Sequence, residues 1–255
     1  MTRLEGLFSP DQRDRLMEAI PRRQSCRAYV SPPSQGDWAA LSYAAGRYEL
    51  PGARLIFASV PEGMFSGALL GTGRVTGCGV IAAVAASIAL PEGRVHAGIL
   101  GEAFCLEATA MGLGTCWVSG SYRKRLLPLP LKPDEARLAV IAGGTPEKRP
   151  ADTRRRKSLD RLCKGDTSLW PEEVRRAAQA VQLAPSAMNL QPWTMSLEQG
   201  RFVLDVPDRS RLELGIALCH AEVTLTTPHA WHYGMGWREP AAWAEARTGY
   251  AAPDR

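Results

Sequence analysis

The chain has 255 residues, 31 Lys+Arg against 26 Asp+Glu, and a formal net charge of +5. An apolar fraction of 45% is enough to build a sizeable core and excludes a disordered or collagen-like chain. The positive surplus by itself fits nucleic acid, an anionic membrane or a phosphorylated ligand, so its distribution has to decide between them.

In chain order, Ser9-Pro10-Asp11-Gln12 reads as a capping box with proline at N1, and predicts a helix ending near Pro21. A second helix is expected from about Asp37 to Ala45, after Pro32-Pro33. Leu55 to Val60 reads as a strand, residues 61–78 as a loop rich in glycine and small residues, and Val80 to Ser87 as a buried strand. Apolar residues at 99, 103, 106, 110 and 113 have helical spacing, so a helix is expected from Ala97 to Met111, stopped by Gly112 and Gly114. Leu138 to Ala142 is the next strand, closed by Gly143-Gly144.

A charged connector follows, from Gly144 to Asp166. It holds eight Lys/Arg and four Asp/Glu, a surplus of four that is nearly the whole net charge. Beyond it, Pro171-Glu172-Glu173 opens a helix with proline at N1 and acids in the first turn. Strands are expected at Trp193 to Leu197 and Phe202 to Val206, then a helix from about Asp208 with apolar positions 212, 216, 219 and 223. Both halves run helix, strand, strand, helix, so the second half reads as a repeat of the first. Helices mix with short strands and no βαβ fingerprint occurs, which makes the class α+β.

Other chemistry is set aside. Gly71 to Gly77 is not G-x-G-x-x-G, and neither a Walker A motif nor a G-x-S-x-G elbow occurs. His229-Ala-Trp-His232, with His220 nearby, has no metal-ligand spacing and reads as structural histidines. The six scattered cysteines form no C-x-x-C and read as reduced thiols of a cytoplasmic protein. No apolar signal core opens the chain, and the longest apolar run, Gly79 to Leu90, is too short to span a bilayer. The connector contains no Phe, Tyr or Trp, which argues against nucleic acid.

Four segments carry the chemistry. Arg22-Arg23-Gln24-Ser25-Cys26-Arg27-Ala28-Tyr29 sets arginine forks and a hydroxyl in an irregular stretch suited to phosphate oxygens. Ala184-Pro185-Ser186-Ala187-Met188-Asn189-Leu190-Gln191-Pro192-Trp193 combines small residues, which admit a flat ligand face, with two amides. Gly112 to Gly120 offers backbone N–H groups, and Arg154-Arg155-Arg156-Lys157 is a run of cations. Each alone reads equally as a turn, a helix cap or a solvated face.

Together these segments resemble the nitroreductase family of FMN-dependent oxidoreductases: its Arg-Arg-Ser-x-Arg-x-aromatic opening, its Ala-Pro-Ser-x-x-Asn-x-Gln-Pro-Trp segment, its long helix with a glycine turn, and its late basic stretch. In ordinary members the first two motifs lie a few dozen residues apart, whereas Arg27 and Pro185 are 158 positions apart here. The chain therefore resembles the single-chain tandem subgroup, in which two fused halves imitate the family homodimer. The resemblance implies a first half over residues 1–150, a basic connector over 151–168 and a second half over 169–255. It also implies one FMN per chain and a monomer.

Residue by residue, it implies that Arg23, Ser25 and Arg27 hold the phosphate and ribityl end, with Gln24 where the family often has a basic residue. Arg154 and Arg156 would add to the phosphate site. Pro185, Ser186, Ala187 and Asn189 would lie along the isoalloxazine, and backbone N–H groups near Ser119 and Gly120 would face flavin N5. Arg74 would stand near the N1/O2 edge. No catalytic side chain and no metal are implied. The expected cycle is ping-pong: NADH or NADPH delivers hydride, and an electron-poor acceptor such as a nitroaromatic or quinone then takes the electrons in the same place. Other flavin chemistry on this scaffold (dehydrogenation, dehalogenation, flavin fragmentation) and a non-catalytic flavin-binding protein stay open at this point.

Overall fold

Ser9 fixes the start of the first helix, α1 (Pro10–Ala19): its Oγ accepts from Gln12 N at 3.3 Å, while Gln12 Oε1 accepts from Ser9 N at 2.7 Å. The computed structural model describes residues 4, 6–65, 74–147, 155–233 and 242–246. After a 3-10 turn at Ile20–Arg22, the order is β1 (Tyr29–Ser31), α2 (Gln35–Gly46), β2 (Ala53–Ser59), β3 (Val80–Ser87), α3 (Gly93–Ala110), β4 (Gly114–Val118) and β5 (Glu135–Pro146). Then come a short α4 (Leu159–Leu162), α5 (Glu172–Leu183), β6 (Thr194–Glu198), β7 (Arg201–Asp205), α6 (Arg211–Thr224), β8 (His229–Tyr233) and β9 (Ala242–Ala246).

The chain divides into two compact units. One is Arg22–Arg154; the other joins Met1–Pro21 to Arg155–Arg255. This differs from an expected first half of 1–150. Helix α1 packs on α6 of the second unit, where Arg13 donates to the Leu225 carbonyl at 2.8 Å and pairs with Glu222 Oε1 at 2.5 Å. Residues 155–166 of the connector also belong to this unit: Lys164 N donates to Met195 O at 2.8 Å, beside the Cys163–Met195 bridge.

In the 22–154 unit, one sheet runs β1-β5-β3-β2, with β4 also paired to β5, and every pairing is antiparallel. Helix α3 packs against β2, β3 and β4. It is buried almost all round, so it is a core helix rather than a surface one. It ends in a Schellman motif: Gly112, at φ 81°, donates to Thr109 O at 3.0 Å, and Leu113 N donates to Ala108 O at 2.8 Å.

Strand β5 is longer than expected. Gly143-Gly144, read in sequence as its terminator, lies inside it. A Cβ on Gly144 would come within 2.8 Å of Tyr29 Cδ1 and 2.9 Å of Ser31 O, so glycine is what lets β1 close on this strand. Helix α3 begins four residues before the expected Ala97, because Glu92-Gly93-Arg94 has no sequence cue for a helix start.

In the other unit the sheet runs β6-β7-β9-β8, again antiparallel. This order matches β2-β3-β5-β4 strand for strand, and the intervening helices match as well. Several residues around the two central helices also recur at one constant spacing. Gly101 and Gly215, Ala103 and Ala217, Cys105 and Cys219, and Trp117 and Trp231 are each 114 positions apart, as are the helix ends Ala110 and Thr224. Pro171 is the N-cap of α5 and not its N1 residue.

All six cysteines are free, five of them buried. No helix among the described residues is long and apolar enough to cross a membrane.

Candidate functional site

Segment 22–29 is held by backbone pairing on both sides. Cys26 N donates to Thr115 O of β4 at 2.8 Å, and Ser25 bridges Thr115 in parallel. On the other side Thr76 N donates to Arg27 O at 2.8 Å and Tyr29 N to Thr76 O at 3.0 Å. The motif's aromatic position is an anchor: buried Tyr29 donates its hydroxyl to Cys26 O at 2.6 Å. Burial pushes the Cys26 thiol above its ordinary range, so it is a packing group rather than a nucleophile.

This alternation sorts the predicted residues. Ser25 is exposed, and Gln24 and Arg27 are half-exposed. Arg27 has no ion-pair partner among the described residues. Arg23 instead turns inward: it is only 2% exposed, and its Nε lies 3.5 Å from the buried Glu102 Oε1. Glu102 also accepts from Trp117 Nε1 at 2.9 Å. This carboxylate, which ties the opening segment to α3 and β4, was invisible in sequence because it sits inside an otherwise apolar helix.

Ser119 and Gly120 lie just beyond β4 in an exposed bend, and the space around Gly120 is open. Thr115, beside Ser25, and Ser119 are four residues apart on this strand, about 13 Å at strand rise. The start of this strand thus pairs with the segment that holds the Ser25 hydroxyl and the Arg27 cation, and its far end runs into the exposed Ser119–Gly120 bend. An elongated ligand with an anionic end fits this arrangement. Arg74 is exposed, and Arg154 lies outside the described residues.

In the other unit the structure brings two predicted segments together. Arg156 Nη1 donates to Asn189 Oδ1 at 2.5 Å and its Nη2 to Leu183 O at 2.9 Å. Asn189 Nδ2 donates to Arg155 O at 2.6 Å. Lys157 N donates to Gln191 Oε1 at 2.8 Å, its Nζ donates to Gln191 O at 3.0 Å, and Gln191 N donates to Ser186 Oγ at 2.8 Å. Pro185 and Gln191 are buried, Ser186 is half-buried, and Ala187 and Asn189 are exposed. Proximity between these segments could not be read from sequence, because 30 positions separate Arg155 from Pro185.

The backbone here is strained. Met188, Asn189 and Gln191 have φ of 49°, 57° and 45°, a region that costs most L-residues roughly 1–2 kcal/mol each. Such strain persists only where the surroundings over-determine it, and it clusters at ligand sites. Met188 is 76% exposed, so its side chain gains little from packing. Met188→Gly should therefore leave stability level or raise it by up to about 1 kcal/mol, while Met188→Val should lower it by about 1 kcal/mol or more, since a β-branched residue fits this φ worst. Urea unfolding of the two variants checks this; equal midpoints would contradict it.

The histidines are structural. His220 Nδ1 lies 2.9 Å from Ala180 O, His229 Nε2 lies 2.9 Å from Glu222 Oε2, and His232 stacks on Trp243 at 5.2 Å. Among the described residues no three candidate ligands come together as a metal site.

An α+β fold with these two paired segments defines a nitroreductase-like protein. Among solved structures, the chain is similar to a putative nitroreductase from Thermotoga maritima at 22% identity and a TM-score of 0.64, covering 90% of this chain and 92% of that one. It is also similar to a putative nitroreductase from Desulfovibrio desulfuricans solved in complex with FMN, at 24% identity and a TM-score of 0.47, covering 59% of this chain and 96% of that one. A comparison with curated proteins found no match. The family described as "Putative TM nitroreductase" matches residues 15–225, and the chain belongs to this oxidoreductase family.

Proposed function

We propose that the protein is an FMN-dependent NAD(P)H oxidoreductase that reduces an electron-poor acceptor, with two nitroreductase-like halves in tandem. The observation that carries the cofactor reading is strand β4, with Ser25 and Arg27, a cation without an ion-pair partner among the described residues, beside its start and the exposed Ser119–Gly120 bend at its end. The matching strand orders and the constant offset between the halves support the tandem reading.

Bound FMN would supply the two-electron chemistry, accepting hydride from NADH or NADPH and passing electrons to a nitroaromatic or quinone. The chain's own residues bind and orient. Arg27 and Ser25 hold the phosphate with charge-assisted hydrogen bonds. Arg23, fixed on Glu102, keeps positive charge behind them. Backbone N–H groups at Ser119 and Gly120 orient the reactive edge of the ring, and in the other unit Pro185, Ser186 and Ala187 offer small side chains that admit a flat ring face. Gln24 keeps a neutral amide beside the cations. No side chain is assigned as an acid or base.

The test is the flavin content of the purified protein and its NADH and NADPH oxidation with and without nitro and quinone acceptors. One FMN per chain, acceptor-dependent turnover and a monomer on gel filtration are expected. Arg27→Ala should weaken FMN by roughly 10- to 100-fold, the value of one or two hydrogen bonds to a charged group. Arg27 is the cleaner target, because Arg23→Ala would also strand buried Glu102. Bound flavin with no turnover on any acceptor would refute the reductase reading.

A further inference from the structure

Arg156 stands in the family's second basic stretch, where the resemblance puts a phosphate ligand. The structure gives its donors other work. Both terminal nitrogens are committed, one to the Asn189 side chain and one to the Leu183 carbonyl. Asn189 lies inside the stretch in which Met188, Asn189 and Gln191 are held at positive φ, and Leu183 ends α5 just before it. Asn189 answers with its own donor to Arg155 O, and Lys157 closes the far side by binding Gln191 through both backbone and side chain. Gln182 Nε2, from the end of α5, donates back to Lys157 O at 2.8 Å.

Of the five N–H donors of this guanidinium, one on each terminal nitrogen is already given to a carbonyl-type oxygen, which fixes the plane of the fork. Turning it to a phosphate would release Asn189 and leave the strained turn without its main support. We infer that Arg156 is a positioning residue: with Asn189 it braces segment 186–191 in its left-handed conformation, and it does not hold the cofactor phosphate. The inference rests on the flavin reading above. It separates two basic segments by role, with Arg156 of the late stretch serving the ring-covering segment and Arg27 of the opening segment the phosphate.

Riboflavin, which lacks the phosphate, separates the two roles. Kd values for FMN and riboflavin would be measured by flavin fluorescence quenching for the wild type, Arg156→Ala, Asn189→Ala and the double variant, with Arg27→Ala as the phosphate control. A brace predicts that Arg156→Ala weakens both flavins by the same factor, roughly tenfold. Asn189→Ala should do the same, and the double variant should lose clearly less than the sum of the two, since the Arg156–Asn189 hydrogen bond is common to both while the Leu183 and Arg155 carbonyl contacts are not. Arg27→Ala should weaken FMN and leave riboflavin unchanged. Loss of FMN affinity alone in Arg156→Ala, or additive effects in the double variant, would overturn the brace.

Hydrogen exchange on the flavin-free protein gives a second readout. The Gln191 and Lys157 amides should exchange at least tenfold faster in Arg156→Ala, and unchanged exchange would also overturn the inference. Should the wild type bind neither flavin, the functional reading falls, while exchange still decides whether the brace exists.

Discussion

Glu222→Ala is expected to cost about 3–5 kcal/mol of stability, the usual penalty for breaking a buried, hydrogen-bonded ion pair by removing one partner. Glu222 is fully buried, and its two oxygens serve three donors. Oε1 takes Arg13 Nη2 at 2.5 Å; Oε2 takes Trp231 Nε1 and His229 Nε2, each at 2.9 Å. Removal strands an indole and an imidazole in the interior and takes the carboxylate from a partly buried arginine. Domains of this size have only about 5–15 kcal/mol in total. The loss should also be local. Helix α1 has ten residues, too few to be stable alone, and the Arg13 clasp is its polar tie to α6. Trypsin should therefore cut within α1 of the variant before the rest unfolds. A loss below about 1 kcal/mol in urea unfolding would refute this account.

The same cluster sets a pH window. Burial alone would raise the Glu222 pKa, but the His229 hydrogen bond and charge, with Arg13 and Trp231, outweigh it and hold it below the ordinary carboxylate value. Burial alone would lower His229, but the Glu222 carboxylate outweighs it and holds its pKa above the ordinary imidazole value. The depressed carboxylate contributes stability above about pH 4.5 that is lost as pH falls through its folded pKa. The raised imidazole contributes stability below about pH 6.5 that is lost as pH rises through its folded pKa. Melting temperature against pH should thus show a plateau between these values, and Glu222→Gln should lose the alkaline limb.

Much of this architecture was legible in the sequence where a local signal and the tertiary outcome agree. The Ser9 capping box, the helical spacing from Ile99 to Ala110, and the apolar run of β3 each fix an element by short-range physics. Strands β4, β8 and β9 were not legible as strands, because Thr115 to Trp117 and His229 to Tyr233 lack clean alternation and gain their state from partners far along the chain. The partition of α1 was hidden for the same reason: a capped helix does not announce which core it will cover, and its decisive partner is 209 positions away. At the candidate site, residue types singled out segments, but not the partners of their side chains. Arg23 was visible as a cation; that it turns onto Glu102 follows from β4 bringing Trp117 and the opening segment against one buried carboxylate.

Gly77→Ala carries the largest expected effect on the proposed phosphate-binding segment while touching none of its side chains. Gly77 has φ 70°, and a Cβ there would lie 2.0 Å from Tyr29 O, a backbone atom that cannot rotate away. Backbone strain of roughly 1–2 kcal/mol and an overpacking cost of about 1–3 kcal/mol act together, so a total loss of about 3 kcal/mol is expected. The chain can avoid the clash by separating residues 75–77 from 27–29, which breaks the paired Thr76 N to Arg27 O and Tyr29 N to Thr76 O hydrogen bonds of 2.8 and 3.0 Å. Arg27 would then keep its charge but lose its fixed position, and position is what turns a surface cation into a phosphate ligand. FMN affinity should fall at least as far as in Arg27→Ala, with riboflavin affected much less, since the β4 end at Ser119–Gly120 is untouched. Equal FMN affinity in Gly77→Ala and wild type, measured on protein shown by circular dichroism to be folded, would mean that the pairing of segment 27–29 with Thr76 does not set the phosphate site.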